Sequence, residues 1–213
     1  YSMLYDTQLK MAYWVAYPLC NYYTVKNVKR TNAWAYDPSL SSEEQATMKR
    51  GLNGYDRGHQ IPSADRLVTR EANEQTFYYT NMTPQIGRGM DQHIWQKLET
   101  AVRGWSSNID TLYVVTGAMP TTPENTTISY TQDNDGKQIA VPKYYFKALC
   151  RINRATGEAQ TIAFKLDNRA YPNGESYMNH TLSVAELERM TGFVFFPMIR
   201  EQDKQTYDKR KWN

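Results

Sequence analysis

The feature that most constrains the fold is the alternation of strand-like runs with one long amphipathic segment. Four runs are rich in aromatic and β-branched residues, which favour strands: Tyr13–Leu19, Leu112–Thr116, Ala140–Leu149 and Gln160–Leu166. One segment, expected to be helical from Asp91 to about Gly104, repeats apolar residues at spacings of three and four: Ile94, Trp95, Leu98 and Val102. Because that spacing gives a helix one buried face, the sequence predicts a mixed fold of strands and helices.

Local signals predict smaller elements. Ser41-x-x-Glu44 and Ser183-x-x-Glu186 have the form of capping boxes, and each is expected to open a short helix. The glycines and the Asn-Gly pair of Gly51–Gly58 predict a tight turn, and Thr191–Met198 is interpreted as a strand. The chain has no internal repeat, linker or change in composition, so residues 1–213 are expected to form one domain.

Charge alone says little about a partner. The 25 Lys and Arg against 22 Asp and Glu give a formal charge of +3, too small to predict a polyanionic partner. Nucleic acid would require a local basic patch, and five arginines lie along the central segment: Arg57, Arg66, Arg70, Arg88 and Arg103. No apolar run approaches the roughly 20 residues of a membrane helix, so no membrane partner is expected.

Two cysteines, Cys20 and Cys150, each end an apolar run. They are expected either to form a disulfide, which suits an oxidising compartment, or to be two small buried thiols. The sequence leaves both alternatives open. The two cysteines and three histidines lack the spacing of a structural zinc site.

The segment Asp56–His59, which reads Asp-Arg-Gly-His, brings a base, a cation and an acidic group together. Hydrolysis of a phosphodiester needs a group that deprotonates water and positive charge for the transition state. The other interpretation is a loop histidine beside an ion pair, and the four residues alone favour it. The predicted helix changes the balance, because it carries Asp91, Glu99 and Arg103 beside its apolar face.

These acidic residues limit the kind of metal site. Asp91 and Glu99 are eight residues apart, so a straight helix separates them by about 12 Å. Both cannot bind one ion directly in that geometry. A Mg²⁺ ion keeps several waters and accepts few protein ligands, so one carboxylate binding the ion and the other holding its waters is reasonable.

Asp56–His59 matches the signature of the DNA/RNA non-specific endonucleases, a ββα-metal (His-Me finger) family that includes secreted bacterial nucleases and mitochondrial endonuclease G. Further segments resemble the family in the expected order: Phe77–Gln85, Trp95–Glu99 with Arg103, Tyr113–Gly117, Val141–Lys147 and Thr191–Pro197. The matches run from about Tyr13 to Pro197. The resemblance implies an α+β fold with a central antiparallel sheet, flanking helices and a ββα-metal motif.

The resemblance also implies an activity and a role for each site residue. The activity would be Mg²⁺-dependent, sequence-nonspecific cleavage of DNA and RNA to 5′-phosphate and 3′-hydroxyl ends, with Mn²⁺ as a substitute. His59 would be the general base, and Arg57 and Arg103 would contact phosphate. Glu99 would hold metal-bound waters, and Asn81 would orient groups near His59.

The sequence departs from the family at two points. Asp91 stands where members usually have an asparagine metal ligand, and the stretch from Asn81 has one extra residue. An aspartate is a good hard-oxygen ligand, so we expect Asp91 to bind the metal in a retuned site. A second family arginine has no clean counterpart, since Arg30 lies at a shifted spacing from Trp34 and Asp37.

Two other functions stay open: a metal-dependent phosphodiesterase of a non-nucleic substrate, and a nucleic-acid-binding protein impaired in catalysis by Asp91. The bacterial members of the family and the two cysteines lead us to expect a secreted or periplasmic bacterial protein. A homodimer, a protein inhibitor and the preference between DNA and RNA are left open.

Overall fold

The predicted strands form a central sheet in the computed structural model, which describes residues 1–212. The strands are β1 (Ser2–Asp6), β2 (Met11–Leu19), β3 (Asp56–His59), β4 (Met82–Gln85), β5 (Leu112–Met119), β6 (Ser129–Gln132), β7 (Gln138–Val141), β8 (Tyr144–Ile152), β9 (Ala159–Asp167) and β10 (Thr181–Leu182). The helices are α1 (Asn21–Thr24), α2 (Arg70–Gln75), α3 (Gln96–Ser106), α4 (Val184–Thr191) and α5 (Glu201–Gln205). A π-helical segment, Gly87–Trp95, leads into α3.

The central sheet has six strands in the order β1-β2-β5-β8-β9-β10. Every neighbouring pair is antiparallel, which confirms the predicted α+β class with a central antiparallel sheet. Along the strands, successive side chains point to opposite faces, so the sheet buries two apolar sets. In β5, for example, Val114 packs in one cluster and Val115 in the other.

The amphipathic segment covers one face of the sheet, as predicted. Ile94, Trp95, Leu98 and Val102 are all buried, in one cluster with residues of β2, β5, β8 and β9. The other face packs against α4, which starts with the predicted capping box at Ser183: its side chain accepts from the Glu186 N–H, and the Glu186 carboxylate accepts from the Ser183 N–H. The sheet is therefore enclosed between α3 and α4.

Three local predictions were wrong. Ala140–Leu149 is two strands, β7 and β8, because Pro142 has no N–H to continue a ladder. Thr191–Met198 is not a strand: α4 ends at Thr191, and Gly192 caps it with a φ of 75°. At Ser41 the Glu44 carboxylate does accept from the Ser41 N–H and O–H, but only a turn follows.

The cysteines, a membrane-spanning helix and the number of domains concern the chain as a whole. Cys20 and Cys150 are both free, so the structure favours the thiol alternative over the disulfide. Within residues 1–212, no helix is both long and apolar enough to cross a bilayer. That residues 1–213 form one domain stays a prediction.

Candidate active site

The signature forms the first strand of an antiparallel pair that precedes the helix. In the β3–β4 pair, Asp56 lies opposite Gln85 and His59 lies opposite Met82. The π-helical segment and α3 follow directly, so two strands and a helix are joined in the order of the predicted ββα motif. The tight turn predicted before it is present, with Gly54 at a φ of 82°.

Close packing explains the glycine of the signature. Gly58 is buried opposite β4, and a Cβ at this position would lie 2.3 Å from Oε1 and 2.7 Å from Cβ of the buried Gln85. Any larger residue therefore has to displace Gln85 of β4, or move β3, which carries His59, away from it.

We expect Gly58→Ala to lower the free energy of unfolding by about 1–3 kcal/mol, because overpacking a core costs that much. Urea denaturation measures the change. Gly104→Ala is the matched control, since nothing lies within 4 Å of its added Cβ and it lies inside α3. The control is expected to gain up to about 1 kcal/mol from helix propensity. Equal stability of Gly58→Ala and wild type would contradict the packing argument.

His59 lies among aromatic rings and arginines. Its ring contacts Trp34 and Phe77 edge-on, at centroid distances of 5.5 and 5.2 Å. Burial, then the charges of Arg30 and Arg57, lower the pKa of His59 to about 3, against a hydrogen bond to the Arg57 backbone. Its Nε2 is buried and has no hydrogen-bond partner among residues 1–212. The imidazole is therefore neutral at physiological pH, with one nitrogen free to take a proton.

This lowered pKa predicts how pH affects the metal-free protein. Between pH 3 and 6.5 the unfolded chain binds a proton at His59 and the folded chain does not, so stability falls as the pH is lowered through this window. The slope from His59 is at most about 1.4 kcal/mol per pH unit. Urea denaturation of wild type and His59→Gln across the window isolates this contribution. Identical pH slopes in the two proteins would refute it.

Asn81 lies beneath the signature and not in the open site. Its Oδ1 accepts from the Ile61 N–H at 3.0 Å, and its Nδ2 donates to the carbonyls of Ile61 and Thr76 at 3.0 and 2.8 Å. Its own carbonyl accepts from the Gln60 N–H. Asn81 therefore fixes the backbone that follows His59, and its supporting role in the reaction stays a prediction.

Asp91 lies on the π-helical segment close to β3. Burial and the charge of Asp56 raise the pKa of Asp91 to about 7, while Arg30 opposes the shift. Asp56 joins the two elements, because its carboxylate accepts from Gln92 Nε2 at 2.5 Å and lies where a side chain on Gly87 would be. The aspartate of the signature thus sets the position of the segment that carries Asp91.

Glu99 lies one helical turn after Trp95, near a buried lysine. Burial raises the pKa of Glu99 and lowers that of Lys147, and each charge opposes the shift of the other. Lys147 Nζ donates to Thr116 Oγ1 at 2.7 Å and lies 4.8 Å from the centroid of the Trp95 ring. A cation built into β8 therefore supplies positive potential behind Glu99.

Arg103, on the next turn of α3, is held by an aspartate that follows the signature. Its Nη1 donates to Asp65 Oδ1 at 2.9 Å, and the other oxygen of Asp65 accepts from the Tyr17 hydroxyl at 3.0 Å. Asp65 is buried, whereas Arg103 is partly exposed. The pair fixes one edge of the guanidinium and leaves the charge near the surface.

Arg57 and Arg30 have different surroundings in the structure. Arg57 lies 3.3 Å from the Trp34 ring centroid and donates Nη1 to the carbonyls of Met48 and Lys49. Arg30, set aside for its spacing, lies over the Phe77 ring at 4.7 Å, and its charge acts on His59, Asp91 and Glu99. Arg30 is therefore the arginine common to the whole site.

The expected patch of five arginines does not exist as one surface. Arg66 is buried, 4.1 Å from the Tyr23 ring centroid, and donates to the Pro18 carbonyl. Arg70 pairs with Glu74 within α2. The basic character of the site comes from Arg30, Arg57 and Arg103.

The donor set suits a hard divalent cation. Asp91 and Glu99 have no hydrogen bond or ion pair to their carboxylates in residues 1–212, and their raised pKa values show that ionising them is unfavourable without a cation. No group of three or more His, Cys, Asp or Glu in the described part of the chain could hold an ion. The residues thus fit an ion that accepts one or two carboxylates and otherwise water, as Mg²⁺ and Mn²⁺ do.

Three contributors were missed in the sequence. Asp65 and Lys147 are both buried. Of these two, only Lys147 could have been noticed in the sequence, because it is a lysine inside the apolar run Tyr144–Cys150. Arg30 had a signal as well, its place before Trp34 and the Asp37-Pro38 pair, but the spacing masked it.

Known proteins share this fold and sequence. A nuclease of Syncephalastrum racemosum is 31% identical over 212 residues, covering 93% of this chain and 66% of that protein. The mitochondrial nuclease of Saccharomyces cerevisiae is 27% identical over 217 residues, covering 96% and 66%. The chain thus spans just under two thirds of each relative. A solved complex of EndoG with EndoGI, which concerns EndoG inhibition, has a TM-score of 0.79 at 23% identity, covering 96% of this chain and 86% of that one.

These relatives correct the expected location. The prediction of a secreted or periplasmic bacterial protein is wrong, since mitochondrial nucleases are among the relatives. The model of the DNA/RNA non-specific endonucleases matches residues 1–202. This match agrees with the ββα arrangement, the neutral His59 and the unpaired carboxylates. The chain belongs to the DNA/RNA non-specific endonuclease family.

Proposed function

We propose that the protein is a metal-dependent, sequence-nonspecific endonuclease that hydrolyses DNA and RNA to 5′-phosphate and 3′-hydroxyl ends. One observation carries the proposal most directly. His59, in the signature strand, is neutral with an unpartnered Nε2, and the charge of Arg30 acts both on His59 and on the carboxylates of Asp91 and Glu99. A neutral base, a hard-cation donor set and an arginine are the groups that attack on a phosphodiester requires.

His59 performs the proton transfer. Its imidazole takes a proton from the water that attacks phosphorus, and the aromatic contacts to Trp34 and Phe77 hold the ring in place. Arg30 and Arg103 stabilise the charge that develops on the phosphoryl oxygens. Each guanidinium keeps N–H donors that are available to a phosphate, because Arg30 uses its Nε to bind Asn32 and Arg103 uses its Nη1 to bind Asp65. Arg57 adds positive potential at His59 while anchoring β3 to residues 48–49.

The carboxylates hold the metal. Asp91 would bind Mg²⁺ or Mn²⁺ directly, and Glu99 would hold the waters on it. The bound ion would neutralise phosphate charge and stabilise the leaving oxygen. Lys147 and Asp65 then act indirectly, by placing charge behind Glu99 and by orienting Arg103.

The experiment compares a polymer with a small substrate. Plasmid DNA and a chromogenic phosphodiester are offered together with Mg²⁺, and the ends of the DNA fragments are tested with ligase. We expect strong preference for the polymer and ligatable 5′-phosphate ends. Preference for the small diester would replace the proposal with a phosphodiesterase of another substrate. Tight DNA binding without cleavage in Mg²⁺ or Mn²⁺ would replace it with an impaired binding protein.

A further inference from the structure

A basic groove opens beside the candidate active site. It has a volume of about 470 Å³ and is lined mainly by two segments, Lys26–Arg30 and the residues just after the signature strand, Ser63, Ala64 and Leu67. Lys26, Lys29 and Arg30 are exposed on its wall. Arg30 lies 4.7 Å from the centroid of the Phe77 ring, and that ring contacts His59 at 5.2 Å, so one end of the groove lies near the proposed catalytic base.

The wall of the groove is held in place by hydrogen bonds. The Asn27 and Val28 N–H groups both donate to the Leu67 carbonyl at 3.1 Å. Asn27 Nδ2 donates to the Val68 carbonyl at 3.2 Å. These three bonds tie the basic segment to the chain that leaves the signature, so the lysines keep a fixed place relative to His59.

The charges on this wall are uncompensated. Within residues 1–212, Lys26 and Lys29 have neither an ion pair nor a hydrogen bond, and Arg30 donates only to the Asn32 side-chain oxygen. Other basic residues, such as Lys204 and Arg103, do have a carboxylate partner. Lys26 and Lys29 are like charges without a counter-charge, and Arg30 lies beside them, so the groove is suited to a polyanion that supplies the missing charge.

We propose that this groove is a phosphate-backbone subsite, in which Lys26 and Lys29 bind phosphates of the same strand next to the one that is cleaved. The proposal rests on the proposed nuclease function. Four residue steps from Lys26 to Arg30 span up to about 13 Å, enough for at least two successive phosphates. The groove offers charge and no base-reading element, so its contribution is the same for every sequence.

Binding without metal tests the groove separately from cleavage. Fluorescence anisotropy of a labelled oligothymidylate strand is measured in EDTA, for wild type and for the double variant K26Q/K29Q. The matched control is R189Q/R200Q, which removes the same charge from α4 and the start of α5, on the opposite face of the sheet. Circular dichroism checks that all three proteins fold.

We expect K26Q/K29Q to weaken binding about tenfold at moderate salt and to lower the slope of log K against log salt by about 1.4, from two single-strand phosphates. The loss should be equal for an unrelated sequence. The control is expected to stay within about twofold of wild type. Equal behaviour of the two double variants, or no binding by wild type at low salt, would overturn the subsite. Failure of wild type to cleave in Mg²⁺, with the binding difference intact, would refute the nuclease and leave the groove standing.

Discussion

Replacing His59 by alanine is expected to lower kcat/KM for Mg²⁺-supported DNA cleavage by about 10²–10⁴-fold, the usual contribution of a general base. The reason is that His59 is a neutral imidazole in the signature strand, with an unpartnered Nε2. Lys147 is engaged in a hydrogen bond to Thr116, and Glu99 is buried with a raised pKa. The residual activity should come from the charge of the arginines and of the bound ion.

His180→Ala is the matched control for this variant. His180 is also partly buried and bonds to Glu175 at 3.0 Å, but it packs on Tyr171 and not in the candidate site. We expect the control to retain cleavage within about threefold of wild type, since surface-near changes cost little. Binding of Mn²⁺ is measured for His59→Ala as well, because unchanged binding would show that the rest of the site is intact. An active, folded His59→Ala would remove the general base from the account.

Replacing Asp91 by alanine is expected to weaken Mn²⁺ and Mg²⁺ binding by more than about 100-fold, beyond the loss caused by removing a group that only orients a ligand. Asp91 supplies the carboxylate that lies in the site without a partner, next to Asp56 and Arg30. Asp91→Asn keeps an oxygen ligand and removes one negative charge, so it should still cleave. Isothermal titration with Mn²⁺ measures binding, and plasmid cleavage measures activity.

Asp110→Ala serves as the control, because Asp110 is an exposed carboxylate paired only with Arg154. It is expected to bind Mn²⁺ as wild type does. Full metal-dependent activity in Asp91→Ala would rule out Asp91 as the ligand. Activity in Asp91→Asn together with loss in Asp91→Ala would support a site in which an aspartate replaces the usual asparagine.

The sequence predicted the parts of the fold that depend on periodicity. The apolar spacing of Ile94 and Leu98 identified the buried helix face, and the aromatic runs identified the strands of the sheet. It failed where a single residue changes the backbone: Pro142 divides one run into two strands, and Gly192 ends α4 before an apolar tail that resembles a strand. In both cases a local geometric requirement overrides the hydrophobic pattern.

The candidate site was predicted in part for a physical reason. His59 stands in a four-residue signature, and Asp91 and Glu99 stand on one predicted helix, so the family resemblance could group them from the sequence. Arg30 reaches the site from a distant loop, and Asp65 acts through a contact with Arg103 across 38 positions of sequence. Such contacts exist only after the chain has folded, and sequence spacing does not encode them.

The most direct test of the central claim is cleavage of supercoiled plasmid and of RNA by wild type, in Mg²⁺ and in EDTA, with His59→Ala beside it. We expect wild type to relax and then fragment the plasmid and to degrade the RNA in Mg²⁺, to do neither in EDTA, and His59→Ala to do both much more slowly. Intact plasmid and RNA after incubation of folded wild type with Mg²⁺ or Mn²⁺ would contradict that claim.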